Sequence, residues 1–143
     1  RGIFYFKVTL FLLDFNLYTC YNVEVPKETT TMLDEFTIAY IEAALWSTDD
    51  DNGESLDKNY STEDIGEETL EKIKGDCEKF QLENNEIVGE ESKAGHDFWL
   101  TRNGHGAGFW DGDWEEGEKL TASANKFGEF NLYIGDDNLI YGC

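Results

Sequence analysis

The amino-acid sequence predicts an α+β fold in which an antiparallel sheet of two hairpins, open to extension by N-terminal strands, packs with about three helices. Three observations lead there. Segments 34–46 and 61–85 carry apolar residues at helical spacing. The stretches around Asn103-Gly104 and Gly135–Asn138 set turn residues between apolar or aromatic runs. The 143 residues are 40% apolar and 15% aromatic, a globular composition long enough for one real core.

The first element is the N-terminal segment, residues 1–31. It holds three bases (Arg1, Lys7, Lys27) and three acids (Asp14, Glu24, Glu28), so the whole net charge of −20 falls on residues 32–143. A boundary at Met32, the one methionine of the chain, follows, and residues 1–31 read as an apolar extension or leader, non-native if the natural start is Met32. Lys7 and Asp14 interrupt its apolar runs, whereas a spanning helix needs about 20 predominantly apolar residues. The same charges, with Tyr18 and Thr19 before Cys20, fit a secretory signal poorly. Its aromatic and β-branched content suits one or two strands, and an exposed strand this apolar pairs with another chain, so a homo-oligomer through residues 1–31 is one expectation.

The stretch "LDEFTIAYIEAALWS" predicts a helix from an Asp34 cap to about Trp46, apolar around so much of its circumference that it belongs at the centre of the core. After the acidic loop "STDDDNGESLDKNY", a second helix is expected to begin at Ser61 or Thr62, with acids in its first turn where the helix dipole favours them. Leu70, Ile73, Cys77 and Phe80 form its apolar stripe. "DFWLTRN" and "GFWDGDW" flank the Asn103-Gly104 pair and read as the two strands of a hairpin. A third helix follows with Leu120, Ala124 and Phe127 inward and Gly128 as its stop, and a last hairpin closes the chain. The three cysteines, Cys20, Cys77 and Cys143, show no C-x-x-C spacing, so neither a disulfide framework nor a zinc site is indicated and a reducing compartment fits best.

Charge excludes some functions at once. A field set by 31 acids against 11 bases repels nucleic acid and anionic lipid and attracts basic partners. A metal site from His96 and His105 with Asp97, Asp111 or Asp113 is not expected, because a regular strand would separate the imidazoles by up to about 30 Å. "RNGHGAG" lacks the Lys-Ser/Thr of a phosphate loop, and "TDDDNGESLDKN" lacks an EF-hand's first Asp and last Glu. No cofactor is expected. Two surfaces remain. Acids four apart on the second helix, Glu63, Glu67 and Glu71 in one row and Asp64 and Glu68 in another, advance about 6 Å per step and resemble the regular charge of a nucleic-acid backbone. On the hairpin, Trp99 and Trp110 beside Arg102, Asn103 and His105 have the composition of a protein-binding hot spot.

The segments "FTIAYIEAALWSTDDDNGESLDKNYSTEDI", "AGHDFWLTRNGHGAGFWD" and "LYIGDDNLIY" resemble a family of small acidic proteins encoded by tailed bacteriophages and mobile elements, over roughly residues 36–141. The resemblance implies a phage-type origin and action in the bacterial host cytoplasm. It implies no catalytic residues. The function expected is therefore that of an acidic accessory protein, a DNA mimic or anti-defence inhibitor, binding a basic host protein such as a nuclease. The alternatives are a small nucleotide- or nucleic-acid-handling enzyme using His105, Asp111 and the glycine-rich loop, and a structural or assembly component.

Overall fold

The computed structural model describes residues 32–88 and 92–143; the expected N-terminal strands, and self-association through residues 1–31, fall outside the described residues. The architecture is α+β and dominated by helices: α1 (Glu35–Ser47), α2 (Glu67–Val88), α3 (Ser92–Arg102) and α4 (Gly117–Asn125) precede a two-stranded antiparallel sheet, β1 (Leu132–Ile134) and β2 (Ile140–Gly142). Single 3-10 turns occupy Leu56–Lys58, Thr62–Asp64 and Phe109–Asp111.

Helix α1 begins where the sequence places it. The Asp34 carboxylate accepts the Thr37 N–H at 2.7 Å and, from across the core, the Gln81 amide at 2.9 Å. Burial opposes ionisation of Asp34, but these hydrogen bonds outweigh it and hold the carboxyl below its ordinary range. Phe36, Tyr40, Ile41, Ala44 and Leu45 are all buried, so α1 is the central helix its composition predicts.

Helix α2 starts at Glu67, not at Ser61 or Thr62. The cause is a long-range pairing: Ile65 forms a parallel bridge to Ile140, and the Gly66 N–H donates to the Ile140 carbonyl at 2.8 Å. That pairing holds residues 65–66 extended against β2 and leaves Thr62–Asp64 as a separate turn, capped reciprocally by Ser61 and Asp64. Further along, Asn84 leaves helical geometry at φ −127°, ψ 17°. Its buried amide donates to the Phe80 carbonyl at 2.8 Å, where a helical backbone N–H belongs, and to Ser123 Oγ of α4 at 2.9 Å.

The hairpin expected over residues 97–114 is instead α3 followed by a loop and a 3-10 turn. Asn103-Gly104 ends a helix and does not turn a hairpin. Gly104 takes φ +65°, its N–H donates to the Thr101 carbonyl at 3.2 Å, and the His105 N–H donates to Leu100 at 3.0 Å, the paired bonds of a Schellman stop. Helix α3 packs so closely on α1 that a Cβ on Gly95 would overlap the carbonyl oxygen of Phe36. Phe98, Trp99, Leu100, Thr101 and Arg102 are buried in succession, which no amphipathic helix shows.

Helix α4 and the sheet follow the sequence more closely. Leu120 and Ala124 are buried, and Gly128 takes φ +71° just past the helix. The closing hairpin pairs Leu132 with Gly142 and Ile134 with Ile140, with Asn138 at φ +63° in its turn. At the centre of the core Phe80 of α2 stacks on Phe98 at 4.2 Å and on Phe109 at 5.5 Å between ring centroids.

Candidate functional site

The residues expected to form an aromatic binding surface go, for the most part, into the core. Arg102 has a side chain only 1% exposed. Its guanidinium donates to Tyr40 Oη at 2.8 Å, Asp76 Oδ2 at 3.0 Å, the Gly128 carbonyl at 2.8 Å and the Phe127 carbonyl at 3.2 Å. Phe98, Phe127 and Phe130 surround it with ring centroids at 5.3–5.9 Å. Arg102 thus ties α1, α2 and the α4–β1 connection together and touches no solvent a partner could reach. Trp99 is buried too, its indole N–H donating to Ser47 Oγ at 2.8 Å. Asn103 donates to the Trp99 carbonyl and accepts the Phe130 N–H at 2.8 Å, so both ends of its amide are engaged. The correction has one source: helical backbone at residues 92–102 turns these side chains inward, where a strand would have sent alternate ones out.

The rest of the motif divides in the same way. Asp97 is buried and accepts from Lys93 at 2.6 Å, from the Trp114 indole at 2.7 Å and from His96 Nδ1 at 3.2 Å. Burial opposes its charge, but those donors prevail and its carboxyl titrates below the ordinary range. Asp111, weighed as a catalytic partner of His105, accepts the Gly108 N–H at 3.0 Å and closes the 3-10 turn. Among the described residues no hydrogen bond joins it to His105, and no three His, Cys, Asp or Glu side chains are grouped as a metal would require. His105 is half-buried. Trp110 alone of the expected aromatic contacts lies in the open, 54% exposed.

The acidic residues of α2 behave otherwise. Glu67, Glu68, Glu71, Glu78 and Glu86 are solvent-exposed along one side of the helix, with Ile73, Cys77 and Phe80 on the other. Of these five, only Glu71 has a cationic partner among the described residues, Lys74 at 2.9 Å. Asp64 leaves the row, because its carboxylate accepts the Ser61 N–H at 2.7 Å and the Ser61 hydroxyl at 2.9 Å. The broken helix at residues 65–66 separates Glu63 and Asp64 from the acids that follow. The row therefore runs from Glu67 down α2.

A second feature was not visible in the chain order. A cleft of about 700 Å³ opens between the outer side of α1, residues 57–62 and the first turns of α3. Glu42, Trp46, Asp57, Tyr60, Lys93 and His96 line it. Trp46 is 57% exposed, and its ring centroid lies 6.2 Å from that of His96 with the planes 32° apart. Glu42 and Trp46 are four residues apart on α1, so they share one face outside the buried arc. That spacing was the available signal, in a helix whose sequence reading gave Trp46 only as its end.

Comparison with family models, with curated proteins and with solved structures gives no match, so the chemistry of the site is read from its own residues. Among the described residues no helix is long and apolar enough to cross a membrane.

Proposed function

We propose that this chain is a non-enzymatic, acidic phage-type accessory protein that acts in the bacterial host cytoplasm by occupying the basic, nucleic-acid-binding surface of a host protein such as a nuclease. One observation carries the reading: α2 presents Glu67, Glu71, Glu78 and Glu86 to solvent, and of these only Glu71 has a cationic partner among the described residues. The regular part of α2 before the break at Asn84, residues 67–83, extends about 25 Å, several phosphate spacings of duplex DNA. Glu67 and Glu71, four apart on one helix, repel by tenths of a kcal/mol, so their pairing adds no stability. With a net charge of −20 behind it, this row attracts a basic groove from a distance and competes with the nucleic acid that the groove normally holds.

Trp99 and Arg102 are core residues and offer no short-range contact to a partner. Exposed Trp110 remains available. The alternative enzyme built on His105 and Asp111 loses support, because Asp111 is engaged with its own turn.

The test is affinity capture from bacterial lysate with the full chain as bait, repeated with competing duplex DNA, at raised salt, and with a Glu67→Gln, Glu71→Gln, Glu78→Gln triple variant. The expected result is a basic nucleic-acid-binding protein, displaced by DNA and by salt and lost with the variant. Capture insensitive to all three overturns the charge-mimic reading.

A further inference from the structure

We infer that the cleft between α1, residues 57–62 and α3 is a receptor for an arginine side chain. Its lining chooses the class of ligand. Glu42 and Asp57 are exposed carboxylates on its wall, and Glu42 has no cationic partner among the described residues. The one Lys on the lining, Lys93, is already held by Asp97 at 2.6 Å and by Asp113 at 3.4 Å, with its ammonium 5.0 Å over the Trp114 ring. An anion entering the cleft would face two carboxylates and no uncommitted ammonium. A cation meets the opposite balance.

The aromatic groups narrow the choice further. The indole of Trp46 stands open to solvent, which costs hydrophobic stabilisation, whereas most other large rings among the described residues are buried or half-buried. The Trp46 and His96 rings lie 6.2 Å apart between centroids with their planes 32° from parallel, and Tyr60 also lines the cleft. A planar guanidinium stacks on an indole while donating in-plane to a carboxylate; the compact, strongly hydrated ammonium of lysine cannot do both. The cleft, about 700 Å³, is open to solvent and broader than one side chain, so the arginine arrives on a peptide segment or loop. His96 is fixed for this role by its Nδ1 bond to buried Asp97, the same carboxylate that holds Lys93 away.

That the arginine belongs to the basic host protein rests on the proposed function; the preference of the cleft for a guanidinium does not. Residues 61–62 line the cleft and lead through Glu63 to the start of α2, so a basic partner steered by the acidic row meets the cleft at the end of that row.

The probe is the blocked tripeptide Gly-Arg-Gly, titrated into the ¹⁵N-labelled full chain, with its lysine and citrulline counterparts alongside. Citrulline keeps the shape and removes the charge. The expected result is a saturable shift of the Trp46 indole N–H, about tenfold weaker with citrulline and weaker with lysine, as a stacked and paired cation implies. Asp57→Asn and Glu42→Gln should each weaken binding severalfold, and both residues are exposed, so the fold survives. Equal shifts with citrulline, shifts centred on Trp110, or a response to inorganic phosphate in place of the peptide overturn the proposal. The α2 triple variant separates the two readings: it should bind the tripeptide with unchanged affinity while losing the captured protein. Loss of tripeptide binding in that variant counts against the cleft as an independent site.

Discussion

Helices α2 and α3 are adjacent in sequence and opposite in character. In α3 eight of eleven residues are buried, including an aspartate and an arginine, and the buried Asp97, Trp99, Thr101 and Arg102 side chains each have a hydrogen-bond partner. In α2 six of twenty-two are buried, and most of its charges face water. The sequence impression is the reverse, since His, Trp, Arg and Gly crowded into residues 95–114 look like chemistry and a run of glutamates looks like solubilising surface. A residue type that is rare on surfaces and common in active sites is informative only once its exposure is known. Arg102 and Asp97 serve packing and orientation, and the glutamates of α2 are what another molecule can touch.

The contrast can be broken most severely at Arg102. Replacing it by Met leaves the Tyr40 hydroxyl and the Gly128 and Phe127 carbonyls without their donor, and Asp76 with Lys72 alone, and should cost about 3–5 kcal/mol, read as a fall in the urea midpoint. A cost below about 1 kcal/mol would mean that the guanidinium is solvated and that α3 does offer a binding surface. Gly95→Ala, a single methyl, should destabilise by about 1–3 kcal/mol, because it must push α3 away from the backbone of α1. The Glu67, Glu71, Glu78 triple Gln variant belongs at the other end of the scale, within about 0.5 kcal/mol of the parent.

Titration sharpens the same comparison. Burial raises the pKa of Tyr40 above its usual 10.0 and that of Cys77 above its usual 9.0. In each case the unfolded chain releases the proton first, so the stability present below those values falls as pH rises past about 9 and more steeply past 10. Asp97 and Asp34 have lowered values, so their contribution is present above the ordinary aspartate range and is lost as pH falls through their folded values. Equilibrium unfolding followed from pH 3 to 11 should show both losses, and Cys77→Ala should remove the earlier part of the alkaline one. The α2 triple variant should leave the curve unaltered between pH 6 and 9.

What could be read from the chain was what local chemistry decides. Asp34 as a cap, the buried arc of α1, the Leu70–Phe80 stripe, Gly128 as a stop and the closing hairpin were all legible, because each rests on residues a few positions apart. Long-range pairing was not. Nothing near Ser61 announces that Ile65 will pair with Ile140, and so the start of α2 was placed early. Helix α3 failed for a different reason: only Ser92, Lys93 and His96 near its start are left to solvent and residues 97–102 are buried in succession, so it shows no sustained helical period, and Asn103-Gly104 then reads equally as a hairpin turn or a helix stop. Of the acids expected in rows on the second helix, Glu67, Glu68 and Glu71 lie exposed on α2, whereas Glu63 and Asp64 fall in the separate turn before it. The cleft was not legible, because its walls come from three separated segments.

The partners of the Arg102 guanidinium bear on how the chain reaches this structure. Tyr40 lies 62 positions away, Asp76 and Gly128 26, and Phe127 25. A half-assembled chain can bring any one of them near only by moving a cation out of water before the others have arrived to receive it. Partly folded forms are thereby penalised at the spot where the finished protein is best satisfied, which favours a single all-or-none transition over residues 36–130.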